Sequence, residues 1–134
     1  MIFDIQLTDG RIVYMRCRDS QLQDHGGDYV IVWVDAVKFL KQWAKSQHCD
    51  CSLNDYANRT KLPWAEDGFS RGRDNPVPLS EVGMVVHPAC GKIRLVNGIT
   101  RIVWLIRNQA LSFPVLCPAP ERPLLEMLCG KSNV

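Results

Sequence analysis

The chain has 134 residues, a formal net charge of +2, and 46% hydrophobic and 22% charged side chains. That length suits one domain with a real core, and the balance is ordinary for a soluble globular protein. The charge neither demands nor forbids a nucleic-acid partner. No apolar run approaches the roughly 20 residues needed to cross a bilayer, and the N-terminus lacks a signal-peptide pattern, so a cytoplasmic protein without membrane insertion is expected.

Taken in order, Phe3, Ile5 and Leu7 alternate with polar residues, Asp9-Gly10 is a hairpin turn, and Ile12–Met15 returns as a second strand. Polar residues follow as far as Gly26-Gly27-Asp28. Residues 1–27 are therefore read as an N-terminal hairpin region and 28–130 as the core of a single domain. Tyr29–Val34 is a continuous apolar run, predicted as a strand covered on both faces. Asp35 is placed to cap a helix from Ala36 to about Ser46, with Val37, Phe39, Leu40 and Trp43 facing the core.

Regularity fails from Gln47 to Pro76, where Pro63 and Gly68 interrupt any pattern. So long an irregular segment is expected to be functional or mobile. It carries Arg59, Lys61, Arg71 and Arg73 with the aromatics Trp64 and Phe69. These form a candidate surface for a protein partner or DNA, set against a plain solvated loop. Pro76 and Pro78 predict an edge-type extended entry. Ser80-Glu81 suggests a short helical turn closed by Gly83, and Met84-Val85-Val86 a further strand.

The stretch Lys92–Cys117 organises the remainder. A strand over Lys92–Val96 leads through Asn97-Gly98 into a helix reaching about Asn108, and Phe113–Cys117 forms another strand. Ile102, Val103, Leu105, Ile106 and Leu111 supply the apolar face, and Thr100 is the expected N-cap. Unpaired N–H groups in a first helical turn stabilise an anion. Asn97, Gly98, Thr100 and Arg101 are therefore the candidate phosphate- or nucleotide-binding residues, with a plain strand–helix connection as the alternative. Pro118, Pro120 and Pro123 stiffen the exit, and a short helix containing Leu124, Leu125, Met127 and Leu128 stops at Gly130.

Six cysteines are present, and disulfides are not expected in a cytoplasmic protein. Cys117 and Cys129 read as small core residues. His48-Cys49-x-Cys51 and His87-x-x-Cys90 offer Cys49, Cys51, His87 and Cys90 as zinc ligands, but the spacings match no standard module, so no metal is expected. Sets for catalysis are equally sparse. No carboxylate pair stands at helical spacing beside Gly98, and neither H-x-x-x-H nor G-x-S-x-G occurs. Glu81, Asp67 and Asp74 are isolated carboxylates.

N-G-x-x-R at Asn97–Arg101, F-P-V at Phe113–Val115 and P-L-S at Pro78–Ser80 resemble the ParB/sulfiredoxin-like fold. Within it, the chain resembles the plasmid fertility inhibition factor family. The resemblance rests on Asn75–Leu79, Gly98 and Arg101, Trp104, Phe113–Val115, and Leu124, Leu125, Cys129 and Gly130. It implies an α+β fold, with one small twisted mixed sheet and helices packed on it. It also implies a protein that stops a co-resident plasmid from transferring by docking on the type IV secretion machinery, with a conjugative coupling ATPase as partner. The alternative implied by the fold is nucleotide or DNA binding with weak ATPase or nuclease activity. Asn97 and Thr100 stand where nuclease-like relatives carry acidic and histidine residues, which argues against cleavage.

Overall fold

The computed structural model describes residues 1–17, 28–44, 62–84 and 93–131, with the backbone alone at residues 44 and 94–97. Among these the strands fall into two sheets, not the single sheet expected. The first has the order β1 (Ile2–Gln6), β2 (Ile12–Arg16), β4 (Val77–Pro78). β1 and β2 form an antiparallel hairpin closed by Gly10 at φ 94°, and β4 joins β2 in parallel through Met15↔Val77. The second has the order β3 (Tyr29–Asp35), β7 (Ser112–Pro118), β5 (Glu81–Met84), β6 (Ile93–Asn97).

Proline explains the division. Pro76 and Pro78 have no N–H for a ladder, so β4 remains a two-residue edge strand. The chain then changes sheets within two residues. Leu79 N donates to Arg16 O in the first sheet, and Ser80 O accepts from Leu116 N in the second, each at 2.9 Å. Residues 79 and 80 are thus the seam of the molecule.

Among the described residues four α-helices flank the sheets: α1 (Ala36–Ala44), α2 (Leu62–Ser70), α3 (Ile99–Arg107) and α4 (Arg122–Cys129). Asp35 caps α1 by accepting from Lys38 N at 2.9 Å. Phe39 and Trp43 are buried as expected, whereas Val37 points outward at 63% exposure. α2 corrects the expectation of irregularity through Pro76. Pro63 sits in its first turn, where a missing N–H costs nothing, and Gly68 packs beside Val77. Glu81–Met84 is a strand and not a helical turn, because pairing with both β6 and β7 outweighs the local signal.

β3 lies at a sheet edge. Its Val32 and Val34 are buried, while the opposite face is half-buried rather than fully covered. One cluster of buried side chains runs through both sheets, from Ile5 and Met15 to Phe39, Leu105, Phe113 and Leu125. Phe39 and Phe113 meet edge to face at its centre, with ring centroids 5.6 Å apart. Cys17, Cys117 and Cys129 are buried. Burial pushes the Cys117 and Cys129 thiols up to about 11.

Candidate functional site

Gly98 sits between β6 and α3 at φ 80°, ψ 28°, a left-handed conformation that only glycine adopts freely. It serves as the N-cap residue of α3, and no side chain caps the helix. Thr100, expected in that role, lies inside the first turn, because the left-handed glycine starts the helix earlier. A Cβ at Gly98 would fall 2.4 Å from Ser80 Oγ and 3.0 Å from Arg101 Nη1. Backbone angle and space therefore both demand glycine.

Two groups fasten this turn to the seam. Ser80, buried at 1% exposure, donates from Oγ to Gly98 O at 2.8 Å. Arg101 reaches back with Nη1 to Pro78 O at 3.3 Å and Leu79 O at 3.4 Å. The guanidinium thus holds the very residues at which the chain passes from one sheet to the other. Asn97 pairs through its backbone with Glu81; its side chain, like that of Arg94, lies outside what is described.

The next turn of α3 seats α2. Trp104 is buried at 2% exposure and stacks on Phe69 with centroids 4.3 Å apart and planes 16° from parallel. Its Nε1 donates to Glu66 Oε2, and the Arg11 guanidinium lies 6.0 Å from its ring. Phe69 is therefore core, not surface as its loop assignment implied. Trp64, on the other side of the same helix, is 73% exposed. The i, i+5 spacing of Trp64 and Phe69 separates them once the segment is helical.

Between α2 and the start of α3 lies a cavity of about 230 Å³ lined by Trp64, Ala65, Gly68, Val77, Thr100 and Arg101. It joins the two sets of candidates, one from each half of the chain. Arg71 and Arg73 are both exposed: Arg71 pairs with Asp67 at 2.7 Å, and Arg73 pairs with Asp4 at 3.6 Å and stands 5.9 Å from the Tyr14 ring. Arg59, Lys61, Cys49, Cys51, His87 and Cys90 lie outside the described residues, as do all three histidines. Among the described residues no group of three His, Cys, Asp or Glu is placed to hold a metal. Glu81 is buried at 3% exposure and Asp67 is committed to Arg71.

The site sets a cation and a hydroxyl beside a cavity walled on one side by Trp64. Sequence reasoning missed Ser80 and Glu66. Ser80 was read as part of P-L-S and as the start of a helical turn, and Glu66 stood in a segment read as irregular.

A model of the plasmid fertility inhibition factor family matches residues 31–130. Protein osa of Shigella flexneri is 31% identical over 91 residues, covering 64% of this chain and 48% of that protein, so the chain spans about half the length of this relative. The crystal structure of the Oncogenic Suppression Activity Protein, a plasmid fertility inhibition factor, in its gold(I) cyanide derivative superimposes with a TM-score of 0.80 at 22% identity. The match covers 98% of this chain and 70% of that one, a likeness of fold. With three quarters of its length matched, the chain belongs to the plasmid fertility inhibition factor family.

Proposed function

We propose that this protein inhibits conjugative transfer of a co-resident plasmid by docking on the type IV secretion machinery, with the DNA-coupling ATPase as its partner. Family membership supplies the biological role. The observation that favours docking over chemistry is the position of Arg101, whose guanidinium holds two backbone carbonyls at the seam. The docking surface is the outer side of α2, where Trp64 is exposed, with the exposed Arg71 just past the end of the helix. Tryptophan and arginine are among the residue types that dominate energetic hot spots. The protein acts in the cytoplasm; no helix among the described residues is long and apolar enough to cross a membrane.

Conjugation frequency from donors expressing each variant tests this reading. Trp64→Ala should leave the melting temperature unchanged and reduce inhibition strongly. Arg101→Lys keeps the charge but loses the planar guanidinium, whose Nη1 meets both Pro78 O and Leu79 O. It should keep the fold, lower stability by about 1 kcal/mol, and reduce inhibition only partially. Full inhibition by Trp64→Ala together with total loss in Arg101→Lys would reject docking through α2.

One observation favours a second reading. The cavity beside Thr100 and Arg101 places a hydroxyl and a cation at the first turn of α3, a setting suited to a nucleotide or DNA phosphate. Weak ATPase or nuclease activity would belong to that reading. Phosphate contacts weaken steeply with salt, so salt-insensitive partner binding would exclude it.

A further inference from the structure

The outer edge of the four-stranded sheet has a pattern of backbone groups that the docking surface on α2 does not use. β3 pairs antiparallel with β7, with Ile31 opposite Leu116 and Trp33 opposite Pro114. Leu116 N points away from β3, to Ser80 O. Pro114 and Pro118 have no N–H and stand opposite Trp33 and Tyr29. In an antiparallel ladder both backbone groups of a residue point the same way, and the direction alternates along the strand. Ile31 and Trp33 therefore aim their N–H and C=O groups outward.

The chain itself shows that this edge takes a strand. Val34 bridges antiparallel to Gly130, and Lys131 N donates to Trp33 O at 3.0 Å. Two residues further along, the groups of Ile31 receive no hydrogen bond among the described residues. A groove of about 560 Å³ follows this edge, bordered by Ile31, Trp33, Arg122, Glu126 and Lys131.

Its border is cationic. The Lys131 ammonium lies 5.2 Å from the Trp33 ring, and Lys38 Nζ reaches Gly130 O at 3.5 Å. Arg122 and Glu126 on the same border pair with each other at 2.6 Å, so among the described lining residues Lys131 supplies the net positive charge. We propose that β3 is a strand-addition site for an extended acidic segment of a partner protein. The segment's backbone would pair with Ile31, and its carboxylates would meet Lys131. Main-chain pairing gives affinity in such complexes and the flanking charges give selectivity.

The probe is a fluorescein-labelled ten-residue peptide of alternating valine and glutamate, with a valine–lysine peptide as control. The full chain should bind the acidic peptide saturably and ignore the basic one. Lys131→Glu, at an exposed position, should weaken binding at least tenfold. Ile31→Pro removes the outward N–H and leaves the β7 ladder intact, so it should abolish binding. Amide exchange at Ile31 should be fast in the free chain and slow once peptide is added, a readout that needs no variant. No binding of the acidic peptide, equal binding of both peptides, or binding unchanged in Lys131→Glu would overturn the proposal. So would an Ile31 amide already protected in the free chain: at all concentrations this would mean its own segment covers the edge, and with concentration-dependent onset a second copy.

Discussion

Gly98 carries a constraint that no other residue type meets. Its φ of 80° is a left-handed angle, and the space where a Cβ would sit is filled by Ser80 Oγ at 2.4 Å. Gly98→Val should therefore destabilise the protein by about 1–3 kcal/mol, the usual cost of a strained backbone position. Urea denaturation would measure it, and an unchanged midpoint would show that the turn relaxes without cost. Arg101 beside it illustrates how a cation can be structural. Its Nη1 meets two successive carbonyls, and the rigid plane of the guanidinium fixes that position more firmly than a flexible lysine side chain would.

At the scale of the element, the end of α3 contains an avoidable strain. Ala110 N donates to Leu105 O at 2.9 Å and Gln109 N to Ile106 O at 3.1 Å, the paired bonds of a Schellman motif. Its left-handed position is held by Gln109 at φ 60° instead of glycine. The side chain has a compensating use, since Gln109 Oε1 accepts from Thr8 Oγ1 at 2.8 Å and ties the helix end to the first hairpin. That bond is exposed and contributes little. Gln109→Gly should raise stability by about 0.5–1 kcal/mol, read as a higher melting temperature. α2 shows the opposite relation between local signal and outcome. Its proline and glycine weaken an isolated helix, yet Ala65 and Phe69 bury against α3 and Trp104 stacks on Phe69, so packing forms the helix.

For the whole molecule, the buried thiols set the alkaline limit. Burial raises Cys117 and Cys129 from an ordinary value of 9.0 to about 11. Above pH 9 the unfolded chain loses these protons while the folded chain keeps them, so the folded state binds more protons and stability falls as pH rises. The fall should run from about pH 9 to pH 11 in chemical denaturation. Cys117→Ala with Cys129→Ala should flatten that slope, even though the cavities they leave lower stability at neutral pH. A double variant with an unaltered slope would assign the alkaline loss to other groups.

The sequence alone determined whatever depends on neighbours along the chain. The β1–β2 hairpin follows from alternation around Asp9-Gly10, the cap of α1 from Asp35, and the left-handed turn before α3 from Asn97-Gly98. Phe39, Trp43, Cys117 and Cys129 were legible as core because their apolar neighbours recur at the right period. The family was also legible, since its motifs are short, local strings. Only the tertiary structure decided what depends on distant partners. The existence of α2 came from Trp104, some 40 positions later, and the division into two sheets came from Pro78 beside a seam whose second bond is to Leu116. The outward groups of Ile31 became visible only when β7 had taken its place and turned Leu116 towards Ser80. Periodicity records which face of an element is apolar. It holds no information on which strand will lie alongside, because that choice is made by contacts between residues as far apart in the chain as Tyr29 and Pro118.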